Sequence, residues 1–119
     1  MRVNVSGNLG ADVASVGANG TIAANAVTVQ GDFGIITTGA LTTAADVWVT
    51  PATVTNAAVK STSTIVLSIN SMTGTAGTNG APVAIVSAKT DGSFTLSYGN
   101  VGTNALSGAF SISYRVLNA

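Results

Sequence analysis

The chain has 119 residues, 46% of them hydrophobic and only 7% charged, with four acidic and four basic side chains and a net charge of zero. That length suits one domain with one modest core. A charged fraction far below the usual ~25% leaves solubility to Ser, Thr, Asn and Gly and favours association. The four cations, Arg2, Lys60, Lys89 and Arg115, are scattered. No basic patch neutralises phosphates, so nucleic acid is not an expected partner.

The sequence contains no Cys, no His and no Glu. Disulfides, thiol nucleophiles, Ser-His-Asp triads and imidazole or thiolate metal sites are thereby excluded. The four aspartates, Asp12, Asp32, Asp46 and Asp91, are dispersed. Two of them meeting as an acid/base pair, or one joining backbone carbonyls around calcium, is the only chemistry left, and turn or loop roles are the simpler reading. The expectation is a non-enzyme with no catalytic residue, cofactor or metal. Met1–Gly7 lacks the apolar core of a signal peptide. No run of ~18 apolar residues spans a bilayer, so synthesis and folding in a cytoplasm, without a membrane partner, are expected.

In chain order, residues 1–20 are rich in Gly, Asn, Ala and Ser, and their apolar members, Val3, Val5, Leu9, Val13 and Val16, are sparse and small. The segment builds no core of its own. It is either a disordered tail or an extended arm ordered by a neighbouring subunit, and its low charge favours the arm. Thr21–Thr38 reads as β-structure, with weak alternation in Ala26–Gln30. Leu41–Asp46 fits one helical turn or a loop. Val47–Thr50 is strand-like and ends at Pro51. Trp48, between two valines, reads first as a core residue and second as an interface anchor. Thr53–Val59 alternates again.

Four longer strands follow: Thr64–Asn70, Pro82–Lys89, Ser93–Tyr98 and Ala109–Leu117. Their period is two. Ile65, Leu67 and Ile69 share a face, as do Phe94, Leu96 and Tyr98, and Phe110, Ile112, Tyr114 and Val116; a helix would scatter them. Tyr98 and Tyr114 therefore read as core. Pro82–Lys89 is apolar on both sides, which predicts a central strand or one covered by a neighbour. Asp91-Gly92 predicts a tight hairpin, because glycine accepts the positive φ of the turn. Gly74–Gly80 and Gly99–Gly108 read as loops without charge or aromatic side chains. The expected fold is all-β: residues 1–20 as an extended N-terminal arm, then residues 21–119 as one antiparallel β-sandwich or barrel.

The order of motifs between Val54 and Leu117 resembles a domain that recurs in structural proteins of tailed bacteriophages. The matching stations are Thr53-Val54-Thr55, Ala57-Ala58-Val59, Ser63-Thr64-Ile65-Val66-Leu67, Gly74-Thr75-Ala76-Gly77, Val83-Ala84-Ile85-Val86-Ser87, Gly92-Ser93-Phe94-Thr95-Leu96 and Ser111-Ile112-Ser113-Tyr114-Arg115-Val116. Thr64 stands where the family pattern has lysine, and the N-terminal half has no counterpart. The resemblance implies a virion surface component, of a capsid-decorating, head-fibre, tail-fibre or tail-spike kind. The short chain, with no room for a shaft and an attachment domain, favours a decoration (cement) protein: a homotrimer on the capsid exterior, bound to the major capsid protein and assembled in the host cytoplasm. The expected capsid or subunit contacts are Val3, Val5, Leu9, Val13, Val16 and Trp48. The alternative is a tail-fibre or tail-spike receptor-binding module, which would need exposed aromatics for stacking on sugars.

Overall fold

A computed structural model describes residues 18–118. They form an all-β fold of eleven strands: β1 (Ala18–Thr21), β2 (Ala26–Thr28), β3 (Phe33–Thr37), β4 (Leu41–Thr43), β5 (Val47–Trp48), β6 (Ala52–Thr55), β7 (Thr64–Met72), β8 (Pro82–Thr90), β9 (Ser93–Asn100), β10 (Leu106–Gly108) and β11 (Phe110–Leu117). Among the described residues no helix is long and apolar enough to cross a membrane.

Two sheets stack as a sandwich. One has β9 at its centre, with β8 along one edge. On the other edge β6 pairs with Ser93–Leu96 and β5 with Gly99–Asn100, while β2 adds in parallel to β6. The second sheet runs β1-β3-β11-β7. There β11 is antiparallel to both neighbours, and β1 joins β3 in parallel. The small β4–β10 ladder stands apart from both. Outward-facing side chains on the first sheet are mostly Ser and Thr, as period-two alternation over a solvated face requires.

The core is what the alternation predicts. Phe94, Leu96 and Tyr98 face Phe110, Ile112, Tyr114 and Val116, and all seven are buried together with Val27, Val54 and Ile36. Tyr98 and Phe110 meet edge to face across the sandwich, centroids 6.1 Å apart at 68°; the positive ring edge lies against a negative face. The predicted hairpin forms at Asp91-Gly92, with Ser93 paired to Thr90 and Gly92 at φ 91°.

Four expectations are corrected. Ala18–Gly20 belong to β1 of the second sheet rather than to an arm. Leu41–Thr43 is neither helical turn nor loop but a strand, held by Leu106–Gly108, which in turn removes part of the expected Gly99–Gly108 loop. β8 is an edge strand paired only with β9, not a central one. Its apolar outward side chains remain open, with Ile85 49% exposed. Trp48 is not a core residue, being 47% exposed.

Candidate functional site

Trp48 owes its exposure to phase. The inward residues of β9 are Phe94, Leu96 and Tyr98, so Gly99 belongs to the outward set, and its cross-strand partner Trp48 shares that face. A Cβ at Gly99 would stand 2.7 Å from Trp48 Cα and 2.8 Å from the Val47 carbonyl oxygen. Only glycine lets the two-residue strand β5 lie this close. Val47 pairs with Asn100, and Val101 follows directly. Val47, Trp48 and Val101 are 44%, 47% and 50% exposed, so one pole of the sandwich carries three open apolar side chains.

Asn100 fixes this pole. It is 1% exposed, and its Nδ2 donates to the carbonyls of Thr43 (3.3 Å), Ala44 (3.1 Å) and Asn104 (2.8 Å). Its Oδ1 accepts from the amides of Ala81 and Gly102, each at 2.9 Å. One buried amide thus ties the turn before β5 to the segment after β9 and to the start of β8. A fully satisfied buried polar group of this kind specifies a single arrangement of the loops around it. The Asp46 amide adds a bond to the Gly102 carbonyl at 3.2 Å, and Asp46 takes the left-handed conformation, φ 58°. Trp48 is therefore presented from a rigid seat.

The opposite pole is organised by a second buried asparagine. Asn56 Nδ2 donates to the Gly31 carbonyl at 2.8 Å and lies 3.4 Å from the Tyr114 hydroxyl, while Asn56 Oδ1 accepts from the Ala58 amide. Burial raises the pKa of Tyr98; it does the same for Tyr114, where the Asn56 hydrogen bond opposes the rise and the Asp32 charge adds to it.

The aspartates remain apart in their roles. Asp91 accepts from the Ser61 amide at 3.0 Å, Asp32 lies between β2 and β3, and Asp46 supports the Trp48 turn. Among the described residues no three of His, Cys, Asp and Glu gather where a metal could sit. A shallow groove of about 570 Å³ runs over the outer face of the second sheet, between Phe33, Ile35, Val66, Ser68 and Arg115. The Arg115 guanidinium lies 5.7 Å from the Phe33 ring centre, a cation–π distance.

Of the contact residues expected from sequence, Val3, Val5, Leu9, Val13 and Val16 lie outside the described residues, and Trp48 is about half exposed. Val47, Val101 and the organising Asn100 were not singled out by the sequence reading. Gly99, directly after the inward Phe94, Leu96 and Tyr98, was the signal of a close backbone approach. Family models, curated proteins and solved structures give no match to this chain.

Proposed function

We propose that this chain is a structural protein of a phage virion, a decoration protein that binds the outside of the head as a homotrimer. The motif order of Val54–Leu117 motivates the class. The observation that carries the binding mode is the exposed Trp48 on β5, at a pole whose loops Asn100 ties together and where Val47 and Val101 are also open. Tryptophan is enriched at the energetic centres of protein interfaces.

The partner is the major capsid protein. Covering the open half of one Trp48 side chain removes about 100 Å² from water, worth about 2.5 kcal/mol at ~25 cal/mol per Å². That is weak alone. Three copies presented together turn the second and third contacts into intramolecular ones, which multiplies the hold. Val3, Val5, Leu9, Val13 and Val16, which lie outside the described residues, are proposed to add capsid contacts to those of Trp48.

Cosedimentation with purified heads tests this. Wild-type protein should saturate heads and not tails, and Trp48→Ala and deletion of residues 1–17 should each reduce occupancy at least tenfold with the β-domain still folded. Unchanged occupancy in both variants contradicts the reading. The receptor-binding alternative gains one specific support: Trp48 stands beside the segment 101–105, joined to it through Asp46 and Gly102, where an indole suits sugar stacking. Binding to tails, with Trp48 fluorescence quenched by host glycans, would favour that alternative.

A further inference from the structure

The two sheets end differently on the two flanks of the sandwich. On one flank the edges are β1, four residues, and β2, three residues. On the other they are β7 and β8, nine residues each. Short edges offer few free amides and carbonyls; long ones are templates for another strand unless charge, proline or bulges blunt them.

The protection of β7 and β8 is slight. Residues 61–88 contain no charged side chain. Lys89, the first charge after that stretch, donates to the Ser63 carbonyl at one end of the flank, just before β7, and leaves the rest of that edge without a charge of its own. Each strand carries one bulge: the register skips Asn70 on β7 and Ser87 on β8. Pro82 stands at the first position of β8. That leaves Thr64–Ile69 as an uninterrupted edge, β-branched or apolar apart from Ser68, with neither proline nor charge.

The side chains along this flank are apolar and open. Val66, opposite Arg115, lies on the outer face of the second sheet; Ile85, opposite Ser97, lies on the outer face of the first. Ile69 looks into the seam between β7 and β8, where a groove of about 230 Å³ is lined by Leu67, Ile69, Pro82, Val83 and Ala84. Val66, Ile69 and Ile85 are 49%, 38% and 49% exposed. They make up three of the seven exposed large apolar side chains among the described residues.

We propose that this flank is where copies of the chain meet, with the free edge of β7 pairing main chain to main chain against an edge strand of a second copy. The inference rests on the oligomeric part of the function proposed above and names its surface. Several features select a second copy over an unrelated partner. The edge is uncharged, so it repels no edge strand of another copy, whereas partner selectivity between different proteins usually draws on charge complementarity. The flank is about 30 Å long at ~3.4 Å per residue, and about 20 Å across two sheets ~10 Å apart with their side chains. The resulting ~600 Å² per copy approaches the ~800 Å² per partner of stable interfaces. Pairing also satisfies the edge amides and carbonyls while covering Val66, Ile69 and Ile85, so hydrogen bonding and burial act at one place. The Trp48 pole remains free for a different partner.

The test is the mass of full-length protein in solution, by sedimentation, with circular dichroism as the check on folding. Val66→Lys and Ile85→Lys each place a charge on a half-exposed position, where the fold tolerates it. Trp48→Ala is the comparison. The wild type should be an oligomer, each flank variant should shift its dissociation at least a hundredfold toward a folded single chain, and Trp48→Ala should leave the mass unchanged. An oligomer that survives both flank variants overturns the assigned surface and leaves the oligomer standing. A wild type of single-chain mass at all concentrations overturns the oligomeric reading and this inference with it. Dissociation by Trp48→Ala alone moves the interface to the pole and overturns the inference.

Discussion

The two flanks of the sandwich solve the same problem in opposite ways. On the β1/β2 flank the sheets close on each other through missing side chains. A Cβ at Gly20 would stand 2.7 Å from Val27 Cγ2 and 2.8 Å from Val29 Cγ1, and one at Gly34 would stand 1.9 Å from the Ala18 carbonyl oxygen and 2.9 Å from Tyr114 Cε1. Glycine at these two positions brings β1 down onto β2 and β3, and the flank finishes in short strands. On the β7/β8 flank the edges run for nine residues, and Val66, Ile69 and Ile85 stay open. Close packing covers one flank; the apolar side chains of the other stay open. A chain with so little charge has few other means of directing self-contact.

The largest expected effect breaks the closed flank. Gly34→Ala puts a methyl where the Ala18 carbonyl and the Tyr114 ring already are, so β1 must move off β3. Overpacking of this kind at a rigid site should cost about 2–4 kcal/mol, read as a lower denaturation midpoint with unchanged slope.

Alkali should loosen the core. Burial raises the folded-state pKa of Tyr98 and Tyr114 above the ordinary value of 10.0. An acid whose folded pKa is raised contributes stability that is fully present below the unfolded pKa and is lost as pH rises through the folded value. Stability should therefore show no tyrosine-linked change through neutral pH and fall above about pH 10, together with the rise of tyrosinate absorbance. Titration of both tyrosines at their ordinary value in the folded protein would contradict their burial.

Smaller still is the turn joining β1 to β2. Ala24 and Asn25 both have positive φ, 51° and 61°, and Ala23 and Ala26 exchange hydrogen bonds of 3.0 and 3.1 Å around them. The left-handed region costs a residue with a Cβ about 1 kcal/mol, partly offset in glycine by its greater unfolded entropy. Ala24→Gly should raise stability by about 0.5 kcal/mol. The smallest effect belongs to the open flank: Val66→Lys should leave monomer stability within about 0.5 kcal/mol, because the position is half exposed. A large loss there would mean that Val66 is structural and the flank is not a free surface.

Three of the four long strands were legible because each shows at least three apolar side chains at period two, and a half-buried strand needs nothing more to declare its face. The Asp91-Gly92 turn was legible because its φ requirement is local. What was not legible was decided by distant partners. Leu41–Thr43 is too short for a period and becomes a strand only against Leu106–Gly108. Val47-Trp48-Val49 is apolar in both phases, so only pairing with Gly99 shows that Trp48 faces outward. Apolar residues on both sides of β8 suggested a central strand, yet β8 is paired on one side only. The same apolar outer side chains fit a strand covered by a second copy, which is the burial that a single chain does not provide.

Hydrogen exchange at two protein concentrations tests the open flank most directly. The amides of Thr64–Ile69 that point away from β11 should exchange quickly in dilute protein and become protected as concentration rises, while amides of the β1/β2 flank keep the same rates. Exchange at Thr64–Ile69 that is independent of concentration across a range in which the protein is an oligomer would contradict edge pairing there.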